Sequence, residues 1–163
     1  MCSSDLEDID YLLKKARRRG QDIALRFMGF QFGVRYPKYL VDRVPGTWGL
    51  LEPNRWYPRD MVEAWAPDYN DPYFLERLEA RLAAFGQRYN GHPDLIRLDI
   101  GDVGRWGEWH PSKMGQAVKM PTHENACRII DMYFKYFDKT PLCMLIGPDR
   151  KSTRLNSSHV SQS

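Results

Sequence analysis

In the stretch DIGDVGRWGEWH, residues 99–110, a single carboxylate, Glu108, stands between Trp106 and Trp109, with His110 two places on. A carboxyl group held against indole is poorly solvated when charged, which raises its pKa and suits it to donate a proton to a leaving oxygen. His110 is placed to hold or tune it. Sugar rings offer flat C–H faces to aromatic rings, and their hydroxyls call for polar side chains. The pattern therefore points to a carbohydrate site, with Glu108 as general acid/base and Trp106, Trp109, His110, Asp102 and Arg26 shaping the sugar pocket. The competing reading of Glu108 is a carboxylate paired with an arginine such as Arg105, which keeps its pKa low. A metal site from Glu108, His110 and His123 has no helical His spacing or known signature behind it, and no metal or cofactor is expected.

The elements that would position these residues alternate along the chain. Ile9, Leu12, Leu13 and Ala16 fall at helical spacing over 8–19, and Gly20 ends that segment. The KKARRR run within it reads as a solvated helix face. An apolar strand, DIALRFMGF (22–30), follows. A second helix spans about 71–90, with Asp71 as cap, Pro72 in its first position, a stripe of Leu75, Leu78, Leu82, Phe85 and Tyr89, and Asn90-Gly91 as its end. Then come the strand LIRLDIG (95–101), a helix over about 122–137, and the apolar run LCMLIG (142–147).

Helix and strand in alternation predict parallel βαβ units, in a doubly wound sheet or a (β/α)8 barrel. No glycine-rich phosphate fingerprint sits at a strand-to-helix turn, which weakens the dinucleotide-binding version. Strand parity puts Arg97 and Asp99 on one face of 95–101, and Arg26 interrupts 22–30. Charges inside a covered sheet need partners, so Arg26 is expected near Asp99 or the loop beyond it, or else reaching solvent at a strand end.

Two connections are long, 31–70 and 101–121, and loops of that length are uncommon unless functional. All five tryptophans lie in them or beside the following helix. Trp48, Trp56 and Trp65 read as residues tying the loops down; Trp106 and Trp109 read as substrate contacts. Cys127 and Cys143 have no metal or redox spacing and read as buried thiols.

Both chain ends read as foreign to the rest. The tail DRKSTRLNSSH, 149–159, is what a standard short-read sequencing adapter encodes in frame, and MCSSDL is encoded by the reverse complement of the other adapter's start. On this reading 1–6 and 149–163 are adapter-derived, the latter disordered, and Glu7 to Pro148 is a piece of a longer protein. A polar, Ser-rich disordered terminus is the ordinary alternative. Lys and Arg total 24 against 21 Asp and Glu, a net +3, which is no nucleic-acid footprint. No apolar run is long enough to span a bilayer.

The segments DIDYLLKKARRRGQDIALRF and WAPDYNDPYFLERLEARLAAFGQRYNGHPDLIRLDIGDVGRWGEWH, with the helix after them, resemble bacterial β-galactosidase-like (β/α)8-barrel proteins over nearly all of Glu7 to Pro148. The resemblance implies an α/β fold, a partial (β/α)8 TIM barrel carrying about strands three to five of the parent, with 23–30, 95–101 and 142–147 in those places. It implies a glycoside hydrolase acting on a carbohydrate substrate. In that clan the acid/base is a Glu at the end of strand four, the neighbourhood of Glu108, where Gly107-Glu108 replaces the usual Asn-Glu. The second carboxylate would lie on strand seven, outside this chain, so the chain alone is not expected to catalyse. A non-catalytic carbohydrate-binding or structural barrel domain is the alternative, and a metal-dependent barrel enzyme a weaker one.

Overall fold

The computed structural model describes residues 3–30, 36–51, 62–111 and 117–145. Trp56, the end of the run 142–147 and the tail 149–163 lie outside them. The elements in order are α1 (Ser3–Arg17), β1 (Ile23–Arg26), α2 (Lys38–Val41), β2 (Gly46–Leu51), β3 (Val62–Pro67), α3 (Pro72–Tyr89), β4 (Leu95–Asp99), α4 (His123–Tyr136) and β5 (Leu142–Cys143).

Two small sheets result. β1, β4 and β5 form a parallel sheet in that order, and β2 pairs with β3 as an antiparallel hairpin. This corrects the expected partial (β/α)8 barrel. The described residues hold three short parallel strands and a separate hairpin, and no barrel is evident among them. The reason lies in 31–70, read as one long loop: it holds α2 and the whole β2–β3 hairpin, so the chain leaves the parallel sheet to build a second one before returning. The expected 22–30 strand is shorter as well. Regular pairing stops at Arg26, and Phe30 joins Arg105 by an isolated parallel bridge.

α3 forms where its sequence specifies it. The Asp71 carboxylate accepts the Phe74 N–H, Pro72 occupies the first turn, and Asn90 N–H bonds Gly86 O at the far end. Its stripe of Phe74, Leu75, Leu78, Leu82, Phe85 and Tyr89 is buried, together with Leu98 of β4 and Ile129, Met132 and Tyr133 of α4. These side chains make one core between the parallel sheet and its helices. α4 is capped by Thr122, whose hydroxyl accepts Asn125 N–H. Asn70 fixes this start in space: its Oδ1 accepts Thr122 N–H at 2.7 Å and Asn125 Nδ2 at 3.0 Å.

α1 packs Leu13 and Ala16 inward and is tied to α3 by Asp10, which meets Arg88 and the Tyr89 hydroxyl. Arg88 and then Tyr89 hold the Asp10 carboxyl below its usual range. After α1 the chain turns at Gly20, in the left-handed region at φ 65°. The cysteine expectation needs correction: Cys127 is half-buried and Cys143 exposed. No helix among the described residues is long and apolar enough to cross a membrane.

Gly86 brings α3 and α4 together; a Cβ there would stand 2.5 Å from the Tyr136 carbonyl oxygen. In an open helix Gly→Ala gains about 1 kcal/mol. Here the clash is with backbone, so Gly86→Ala is expected to cost about 1–3 kcal/mol, read as a lower midpoint in denaturant unfolding. A stabilised variant would mean that the helices do not approach this closely.

Candidate functional site at the carboxyl ends of the parallel strands

Arg26 ends β1 and Asp99 ends β4, paired across the parallel ladder. Arg26 Nε and Nη2 donate to Asp99 Oδ2 at 2.9 and 2.7 Å, as strand parity anticipates, and Nη1 donates to Glu108 Oε1 at 2.8 Å. One guanidinium therefore holds two carboxylates, using separate edges of its fork. Burial acts to lower the Arg26 pKa, but the bonds it donates to Asp99 and Glu108 outweigh it and raise it. Arg97 Nε adds a bond to Asp99 Oδ1 at 3.2 Å. The other oxygen of Glu108, Oε2, lies 3.3 Å from His110 Nε2.

Glu108 thus sits between a guanidinium and an imidazole. Its ion-pair partner is Arg26, from a different strand, rather than the neighbouring Arg105. The indoles on either side have other engagements. Trp109 donates its Nε1–H to Ile100 O at 2.8 Å and packs on the core. Trp106 carries the Arg105 guanidinium over its ring at 4.2 Å and meets the His110 ring edge-on at 6.3 Å. Burial lowers the Arg105 pKa.

Asp102 is placed apart from this cluster. Its side chain is 2% exposed and accepts from Arg81 of α3 and from the Tyr133 hydroxyl of α4, the latter at 2.5 Å. Tyr69 accepts Gly104 N–H at 2.9 Å, and Tyr133 accepts Gly101 N–H at 3.2 Å. Burial pushes both phenols above their ordinary pKa, so they stay protonated. Of the residues singled out from sequence, Arg26, Glu108 and His110 come together, with Trp106 beside His110, whereas Asp102 anchors the loop from beneath. Asp99 and Arg97 complete the cluster, and their signal was the charged face of β4. Arg81, Tyr69 and Tyr133, which the sequence reading did not select, hold the loop from the core.

The loop they hold is unusual in its backbone. Asp102, Gly104, Trp106, Gly107 and Trp109 all have φ between 57° and 73°. For the three that carry a Cβ this costs roughly 1–2 kcal/mol each. The conformation persists because the surroundings over-determine it: Asp102 N–H bonds Phe27 O at 3.0 Å, Trp106 N–H bonds Phe30 O at 3.0 Å, Trp109 N–H bonds Val103 O at 2.9 Å and Arg105 N–H bonds His110 O at 2.9 Å. Trp65, 3% exposed, does tie its strand to the core, whereas Trp48 is 54% exposed and does not.

At Gly107 a Cβ would collide with the Phe27 carbonyl oxygen as well as impose the left-handed penalty. Gly107→Ala is expected to cost roughly 2–4 kcal/mol. Gly20→Ala, equally left-handed but with nothing within 4 Å, should cost about 1 kcal/mol. Equal losses in thermal unfolding would show that the loop is not clamped against the chain after β1. No protein-family profile, curated protein or solved structure matches this chain.

Proposed function

We propose that this chain acts on a carbohydrate, as part of a glycoside hydrolase-type protein, with Glu108 as the general acid/base. The observation that carries the reading is a carboxylate at the carboxyl ends of parallel strands, bonded by Arg26 on one oxygen and close to His110 on the other, on a loop that the core holds in strained conformations. Ligands of open α/β sheets bind outside these strand ends, and strained backbone gathers at functional sites. Glycoside hydrolysis divides its work between two carboxyl groups. Arg26 also holds Asp99 on its other edge, while the second catalytic carboxylate that the resemblance implies lies outside this chain. Asp99 is the more enclosed, with a side chain 12% exposed against 29% for Glu108. Glu108 is the one beside an imidazole and is therefore suited to exchange a proton with a substrate oxygen. Trp106, beside His110, supplies aromatic surface for a sugar ring. The resemblance to β-galactosidase-like proteins supports the same substrate class.

A second reading is favoured by the Arg26–Glu108 ion pair itself. A carboxylate already neutralised by a guanidinium accepts hydroxyl hydrogen bonds well without cleaving anything, which describes a carbohydrate-binding site. Among the described residues no group of three or more His, Cys, Asp or Glu is gathered to hold a metal ion, so nothing observed supports the metal-dependent alternative.

Hydrolysis of a panel of nitrophenyl glycosides by the glycoside hydrolase-type protein to which this chain is proposed to belong, and by its Glu108→Gln form, separates these readings. The enzyme reading predicts that Glu108→Gln lowers kcat about 10²–10⁴-fold with little change in KM. Near-parental turnover in the variant would reject the acid/base role. No hydrolysis by the parent, with saturable sugar binding that weakens in the variant, would establish the binding reading instead.

A further inference from the structure

Between α1, α2 and α3, beside the chain leaving β1, lies a cleft of about 470 Å³, within the size range of small-molecule sites. Its wall is mostly apolar, with Ile9, Phe27, Leu40, Phe74 and Leu78 along it. Two cations stand in that wall, Arg77 and Arg81, one turn apart on α3, and Asp102 is the carboxylate among the described lining residues. The two arginines differ in their charged partners, a buried carboxylate for Arg81 and an exposed one for Arg77. Arg81 is committed: Asp102 accepts from it, and its guanidinium lies over the Phe27 ring at 4.4 Å. Among the described residues Arg77 meets Glu76 at 3.4 Å, whose side chain is 66% exposed, and the Tyr73 ring at 5.8 Å, and its Nε, like that of Arg81, is buried without a hydrogen-bond partner. The described lining therefore carries one positive charge in excess, on a planar fork at the wall of an apolar cleft. A guanidinium in that setting is satisfied by a carboxylate, which matches its geometry and its charge, while an alkyl chain gains from the apolar wall.

We propose that this cleft is a binding site for a small amphipathic monoanion of the medium-chain carboxylate class, with Arg77 receiving the carboxylate and the apolar wall receiving the chain. The site is separate from the Glu108 cluster and does not depend on any carbohydrate activity. Arg81 and Asp102 form the cleft's fixed side and at the same time anchor the Gly101–His110 loop.

Calorimetric titration of the full chain with octanoate, octan-1-ol, octylamine and inorganic phosphate tests the assignment, with Arg77→Gln and Ala80→Phe as variants. Ala80 is exposed and lines the cleft, so a phenyl ring there narrows the space without entering the core. The expected result is saturable octanoate binding, at least 10-fold weaker binding of octanol, none of octylamine, and a loss of about 10-fold or more in each variant. Should Arg77→Gln fail to fold, Ala80→Phe and the four probes carry the test. Equal binding of octanoate and octanol, phosphate binding as tightly as octanoate, octanoate affinity unchanged in a folded variant, or no binding at all would each overturn the proposal.

Discussion

The guanidinium of Arg26 holds the carboxyl edge of the parallel sheet together. It lies at the end of β1, and both edges of its fork are occupied, Asp99 on one and Glu108 on the other. Removing it would leave Asp99 to Arg97 and Glu108 to His110, two carboxylates in a partly enclosed space without the guanidinium that joins them. The arginine therefore fixes more than a contact. It sets where the Gly101–His110 loop must return so that Glu108 can reach back to a strand 82 residues earlier.

That return is possible only because the loop bends left-handed at five positions and the core accepts the consequence. Gly101, Gly104 and Gly107 run so close to the Phe27 and His110 backbone that side chains would not fit. Asp102 is turned inward to Arg81 and Tyr133, while Tyr69 holds Gly104. A carboxylate carried on such a loop arrives preorganised, since its supports lie on α3 and α4 and in the segment before α3. This rigidity is what a site acting on a substrate requires, and it links packing beneath the loop to chemistry above it.

Local signals in the sequence carried a good deal of this. Asp71-Pro72 and the stripe from Leu75 to Tyr89 mark α3 because caps and periodicity are properties of neighbouring residues. The charged face of β4 pointed to an Arg26–Asp99 pair because parity within a strand is also local. The barrel expectation fails among the described residues at the second sheet: Thr47, Trp48 and Leu50 opposite Ala66, Trp65 and Glu63 build a hairpin whose pairing joins distant residues, which local periodicity does not distinguish from loop. Trp48 and Trp65 are one cross-strand pair, yet one is exposed and the other buried. Trp65 has its ring over Gly46 and beside Tyr36, relations that no single window reveals. The partner of Glu108 was hidden for the same reason, since Arg105 is near in sequence while Arg26 is near in space.

The central claim is that the Arg26–Glu108–His110 cluster, with Trp106 beside it, meets a sugar. The most direct measurement is an NMR titration of the full chain with galactose and lactose, following the His110 ring and the indole N–H signals. The account predicts saturable shifts at His110 and Trp106, with the same affinity from both, and none at buried Trp65. Signals at His110 and Trp106 that stay unmoved while the sugar is raised to high concentration would contradict it.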